Sequence, residues 1–267
     1  MEAVLQPERS GCQRRAIVRH RGGAASDAMD TVAEEVPVAL VFNGISHAVM
    51  MATPRDLEAF AVGFALTEGI VGSRSEIYDV ELHQLPGAAE VQLRIAQSAF
   101  MQLKERRRSL AGRTGCGVCG IDSLALLDLD PAPMPASALP DPLAPAIERA
   151  ALELGRHQVL MHQTGGVHAA AWCGLDGAVL CVFEDVGRHN AMDKLVGHLA
   201  MRGLDLRQGF VYLSSRASYE LARKAARVQI PMLATISAPT SLAIDIARQA
   251  RLKLVSFCRA DGFVEYA

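Results

Sequence analysis

The sequence predicts an α/β protein: a three-layer α/β/α sandwich with a mixed sheet over residues 146–267, and a smaller α+β part over residues 31–127. Three observations carry this. From about residue 167 the chain alternates between near-continuous apolar stretches of strand length and helical stripes, the pattern of strands covered by helices on both faces. Residues 36–95 instead mix a hairpin, one amphipathic helix and two further strands. Between the two parts, residues 128–145 are rich in Pro, Ala and Asp and read as a connection.

Composition is consistent with this and excludes some functions. With 267 residues, half of them hydrophobic, and a net charge of −2, the chain can bury a large core. It lacks the basic excess of a bulk nucleic-acid binder, so no nucleic-acid partner is expected. No apolar run reaches the roughly 18 residues of a membrane span, so no membrane association is expected. The absence of a signal-peptide core makes the cytoplasm the expected compartment.

In order, residues 1–30 are Arg-, Gly- and Ala-rich without periodicity and read as a flexible tail. Val38–Phe42 and Ile45–Met51 read as a hairpin about the Asn43-Gly44 turn. Thr53-Pro54-Arg55-Asp56 announces a helix, with Thr53 as cap and Pro54 at the first helical position. Leu57, Phe60, Ala61, Phe64 and Ala65 supply its apolar stripe. Ile77–Leu82 and Ala89–Ile95 are strands around Pro86-Gly87. The basic run Lys104–Arg108 is either a solvated helix face or a positive approach to the cysteines that follow.

After the connection, Ile147–Arg156 is helical, and Val167–Cys173 and Ala178–Glu184 are strands around a Gly-Leu-Asp-Gly turn. Asn190 caps a helix that runs to Leu199. Strand 210–213, helix 218–228, strand 232–236, helix 240–249 and strand 252–257 complete the run.

Chemistry concentrates in a few places. Arg113-Thr114-Gly115-Cys116-Gly117-Val118-Cys119-Gly120 sets two thiols among glycines, where steric shielding is low and Arg113 favours thiolate, the nucleophilic and metal-binding form. Alone, this spacing fits a redox pair, half a zinc site or a sulfur relay. Cys173, Cys181 and Cys258 fall in apolar segments and read as buried hydrophobes. Zinc would need two more ligands from His162, His168 and His189, and there is no second Cys-x-x-Cys and no His-x-x-x-His. Zinc deaminases join His-x-Glu to Pro-Cys-x-x-Cys; here His168 is followed by Ala169-Ala170, comes after the cysteines, and no Pro precedes Cys116.

In open α/β sheets ligands collect beyond the carboxyl ends of strands. Glu184–Asn190, Ser214–Ser218, Ser237–Ser241 and Phe257–Gly262 fall there. Helix starts rich in hydroxyls, with Arg216 to clamp an anion, suit a phosphate-bearing ligand; the same serines and threonines also serve as plain helix caps. Glu184, Asp185, Arg188 and His189 either do acid–base or binding work or pin the loop.

Taken together, the motifs resemble the formate dehydrogenase accessory sulfurtransferase family, FdhD. The matching stretches are Asn43-Gly44 with Met50–Leu57, Thr114–Gly120, Thr164–Ala170, Glu184–Ala191, Ser214–Arg216 and Phe257–Arg259. They appear in order from about residue 30 to the end. The resemblance implies a cytidine-deaminase-like fold, a homodimer and a sulfur-carrier activity. A cysteine desulfurase would load a persulfide on Cys116, with Cys119 as its partner. The sulfur would pass to the molybdenum bis(molybdopterin guanine dinucleotide) cofactor, mimicked by GDP, before that cofactor enters formate dehydrogenase. Phe257, Cys258, Arg259, Ala260, Asp261 and Gly262 would bind the cofactor, with Ser215, Arg216 and Thr240 as phosphate-side candidates; no permanent metal is expected. The alternatives are a zinc-binding, deaminase-like binding module and a thiol–disulfide oxidoreductase.

Overall fold

The computed structural model describes residues 10–109, 131–135 and 139–267, with backbone alone for 106–109. The described chain opens with a long antiparallel hairpin, β1 (Cys12–Arg21) and β2 (Ala24–Ala33), which is a two-stranded sheet by itself. This corrects the expected tail over residues 12–30. The reason is local. Gly22 and Gly23, with φ of 55° and 82°, form the two-residue left-handed turn that suits strand twist. Pairing then runs unbroken from Arg21–Ala24 back to Cys12–Ala33. Backbone pairing does not require an apolar period, so a polar sequence concealed it.

Next come β3 (Val36–Phe42), β4 (Ile45–Ala52), α1 (Leu57–Thr67), β5 (Ile77–Leu85), β6 (Ala88–Ile95) and α2 (Gln97–Ser109). The four strands lie in the order β4-β3-β6-β5, with β3 and β6 parallel and the outer pairs antiparallel. Val38, Leu40, Phe42, Val91 and Leu93 fill one face, where period-2 alternation places them. Helix α1 is buried at every position but Glu58, so it is a central helix and not the one-sided helix its stripe suggests.

The third set is α3 (Ala144–His157), α4 (Val159–Thr164), β7 (His168–Gly174), β8 (Val179–Asp185), α5 (Arg188–Met201), β9 (Gly209–Leu213) and α6 (Tyr219–Arg227). It ends with β10 (Met232–Thr235), α7 (Ser241–Ala250), β11 (Lys253–Arg259) and β12 (Gly262–Glu265). The six strands lie in the order β12-β11-β10-β9-β7-β8. The pairings β9–β10 and β10–β11 are parallel; β7 is antiparallel to both neighbours and β12 is antiparallel to β11. The sheet is therefore mixed, as expected.

Ala146, Ile147, Ala150 and Leu154 of α3 pack on one face of this sheet against Ala171, Tyr212 and Ala234. The other face, through Trp172, Val211, Leu213 and Leu233, packs into a core formed with α5, α6 and α7. That core continues through α1 to the four-stranded sheet, so the two parts share one interior. Helices α1 and α5 meet backbone to backbone. A Cβ on Gly63 would sit 1.7 Å from the Asp193 carbonyl oxygen, and one on Gly197 would sit 1.8 Å from that of Ala59.

The strand directions have a functional consequence. With β7 reversed, the carboxyl ends of β8, β9, β10 and β11 and the amino end of β7 all lie along one edge.

Candidate functional site

That edge gathers most of the residues singled out from the sequence. The loops after β9 and β10 run side by side through a parallel bridge between Ala217 and Pro239. The Ala217 N–H donates to the Ala238 carbonyl at 3.2 Å, and the Thr240 N–H to the Ala217 carbonyl at 3.0 Å. Arg259 Nη1 donates to the carbonyls of Ile236 at 2.6 Å and Cys258 at 2.8 Å, which ties the end of β11 to the same loops. Beside them opens a cleft of about 410 Å³ lined by Gln158, Met161, Gly165, Gly166, Val167, His168, Ser214 and Ile236. Gln158 and Met161 were missed because α4 is only six residues long. The Gly165-Gly166 turn leading to His168 was the available signal.

The candidates differ in how far they are committed to the fold. Ser215 is buried and its hydroxyl donates to the Arg216 carbonyl at 3.1 Å, while the Arg216 side chain is exposed. Thr240 caps α7 by accepting from the Ala243 N–H at 3.3 Å. Strand β11 continues past the expected end at Phe257 to Arg259, with a bulge at which Phe257 takes a left-handed φ of 56°. The bulge turns Phe257 outward, Cys258 inward and Arg259 outward again. Ala260 and Asp261 form the exposed turn, and Gly262 begins β12. Cys116 and Cys119 lie outside the described residues.

The polar run Glu184–Asn190 proves to be structural at its centre. Asp185 is fully buried and pairs with the equally buried Lys194 at 2.7 Å. Its carboxylate also accepts from the N–H groups of Thr53 and Gly187 and from Asn190 Nδ2. Lys194 Nζ donates to the Thr53 carbonyl, the Val186 N–H donates to Thr53 Oγ1, and Asn190 Nδ2 reaches the Met51 carbonyl. Two sequence expectations are corrected here. Thr53 does not cap α1, which starts at Leu57 after a left-handed Asp56. Asn190 does not cap α5, whose N-cap is Gly187. Both side chains are used in joining the two halves of the molecule. Glu184 accepts from the N–H groups of Leu160 and Met161, so it caps α4 beside the cleft.

The histidines at the edge are kept neutral. Burial, with Arg188 adding repulsion, lowers the pKa of His168. His189, 3.8 Å from Glu220, is pushed down to about 4 by burial, by Arg188 and by Lys224. Burial works the other way on the thiols: Cys181 and Cys258 are pushed up to about 11, and Cys173 higher still. A thiol that stays protonated is a poor nucleophile, so these three cysteines are packing residues.

The comparisons with known proteins agree with this architecture. The family model described as the FdhD/NarQ family matches residues 33–267. Over 252 residues the chain is 67% identical to the sulfur carrier protein FdhD of Chromobacterium violaceum, covering 94% of this chain and 93% of that one. Over 265 residues it is 63% identical to the sulfur carrier protein FdhD of Burkholderia mallei, covering 97% and 96%. A crystal structure of a candidate formate dehydrogenase accessory protein from Desulfotalea psychrophila superposes with a TM-score of 0.71 at 24% identity, covering 96% of each chain, and so shares the fold. The chain belongs to the FdhD/NarQ family.

Proposed function

We propose that this protein is a sulfur carrier that takes sulfane sulfur from a cysteine desulfurase and delivers it to a bis(molybdopterin guanine dinucleotide) molybdenum cofactor required by formate dehydrogenase. The observation that carries the acceptor side is the carboxyl edge. There a cleft of about 410 Å³ is lined by Ser214 and Ile236; Ser214 leads to the exposed Arg216, Arg259 bonds the Ile236 carbonyl, and the Ala217–Pro239 bridge joins these loops to the start of α7. Helix N-termini and guanidinium groups are what a diphosphate-bearing substrate needs. The likeness to named sulfur carriers supports the chemistry.

In the loading step, the Cys116 thiolate attacks the outer sulfur of the desulfurase persulfide. The S–S bond of the donor breaks, the donor leaves as its thiolate, and Cys116 carries the new persulfide. In delivery, the Cys119 thiolate attacks the inner sulfur, forming a Cys116–Cys119 disulfide and releasing the outer sulfur as sulfide to the acceptor. A reducing thiol then restores the pair. The buried cysteines take no part, since their thiols stay protonated.

The test is mass spectrometry after incubation with a cysteine desulfurase and cysteine. One added sulfur, about 32 Da, is expected on Cys116. Cys116→Ala should abolish the adduct and formate dehydrogenase activation while GDP binding persists. Full activation by that variant would overturn the proposal.

A further inference from the structure

We infer that Tyr212 is a positioning residue for the cofactor site: its buried hydroxyl holds the bulge of β11 in the shape that sets Phe257 and Arg259 at the carboxyl edge. Phe257–Gly262 is the cofactor-binding segment in the function proposed above, and on that reading Tyr212 acts on binding through it, from two strands away.

The bulge is strained. Ser256 pairs with Val264 and Arg259 with Gly262, so Phe257 and Cys258 together stand opposite the single residue Phe263. At such a bulge the left-handed position ordinarily belongs to glycine; here Phe257 takes it, with φ of 56°. Among the described residues, the other non-glycine positive φ values are at Asn43, Asp56, Gln229 and Arg251, each in a turn or at a helix end. A bulky aromatic residue held left-handed inside a strand persists only where its surroundings over-determine it. The bulge also switches the faces of the strand. Side chains alternate with a period of two, yet Val255 and Cys258, three positions apart, both join the core beneath α3. Phe257 is thereby turned out, 44% exposed, and Arg259 is exposed with it.

Buried hydroxyls supply the hold at each end of the bulge. Before it, Thr235 Oγ1 and Ser256 Oγ lie 2.7 Å apart, both residues fully buried, and Thr235 Oγ1 donates to the Ser237 carbonyl at 2.9 Å. Within it, the Tyr212 hydroxyl donates to the Cys258 carbonyl at 3.0 Å. Tyr212 stands in the core beneath α3 and reaches β11, about 10 Å from β9, across the intervening β10. The β10 residue level with it is the short Ala234. The same Cys258 carbonyl accepts from Arg259 Nη1, which also donates to the Ile236 carbonyl on the cleft wall. Tyr212 therefore fixes the residue between Phe257 and Arg259, together with the acceptor on which the Arg259 guanidinium rests. A phenylalanine would fill the same apolar space, so the work of the hydroxyl is at the bulge and not in the packing.

The test is Tyr212→Phe, which keeps the ring and removes the hydroxyl, set beside wild type and Ile147→Val, a trimming of the same core that leaves the hydroxyl in place. Hydrogen exchange of the free protein, read by mass spectrometry, should quicken in Tyr212→Phe by about threefold to tenfold over residues 256–262, the scale of one hydrogen bond. It should keep the wild-type rate in α1 and α5. GDP affinity in titration calorimetry should fall by a similar factor, about threefold to tenfold. Ile147→Val should lower the denaturant midpoint yet hold GDP affinity within about twofold of wild type. Unchanged exchange over 256–262, unchanged GDP affinity in Tyr212→Phe, or an equal loss of affinity in Ile147→Val each overturns the positioning role. A wild type that binds no GDP overturns the cofactor reading instead, and the exchange comparison, which needs no ligand, still decides whether the hydroxyl holds the bulge.

Discussion

Two polar regions of this molecule look alike in sequence and differ in three dimensions. Around Thr53, Asp185, Asn190 and Lys194, the hydrogen bonds and the ion pair are buried and close on one another. A second closed set joins Lys224 to Thr67, Asp193 and Glu68. Along the carboxyl edge, Arg216 and Arg259 stand exposed, and their neighbours bond mainly to backbone. The first kind of region holds the halves together; the second retains binding capacity. Density of polar residues does not separate them, but burial with complete pairing does.

The sharpest way to test that contrast is to remove one partner inside the buried set. Asp185→Ala leaves Lys194 charged, buried and unpaired, and should cost about 3–5 kcal/mol in denaturant unfolding. Replacing the pair together, Asp185→Leu with Lys194→Met, should recover a substantial part of that loss. Equal instability of the single and double variants would mean that the geometry and not the charge is what matters.

A smaller effect is expected from His189. Its pKa in the folded protein is about 4, against an ordinary 6.5, so the unfolded chain takes up the proton first. Its contribution is complete above pH 6.5 and is lost as pH falls through that window towards 4. Allowing for partial exposure, the loss is on the order of 2 kcal/mol. His168 and His198, also lowered chiefly by burial, act in the same direction. Thermal melting of His189→Gln against wild type between pH 7 and 4 should show a shallower decline; parallel curves would remove His189 from the account.

The smallest stability effect should come from the edge. Arg259→Ala gives up a hydrogen bond to the Ile236 carbonyl at an exposed position and should cost under about 1 kcal/mol. GDP affinity should nonetheless fall about tenfold, the scale of one charge-assisted contact. A variant that is markedly unstable yet binds GDP normally would place Arg259 with the structural set.

Much of the fold was legible in the residues. Alternating apolar runs located strands β7–β11, and Asn43-Gly44 and Gly174–Gly177 marked the turns. The hairpin over residues 12–33 was not legible, because its pairing is backbone to backbone and its side chains are mostly exposed. Nor were α4 and β12, which at six and four residues are too short to show a period. In the candidate site, the segments after β9, β10 and β11 were found from strand ends, while the roles of Thr53 and Asn190 were misassigned to capping.

By itself the sequence determined what depends on neighbours a few positions apart: the periods of strands and helices, the turns, and the motif order that marks the family. Only the tertiary structure decided which polar groups are used up. The partner of the Thr53 N–H is 132 positions away at Asp185, and one partner of Lys224 Nζ, Thr67, is 157 away. The fate of a buried polar group depends on what the fold brings against it, and no local pattern encodes that.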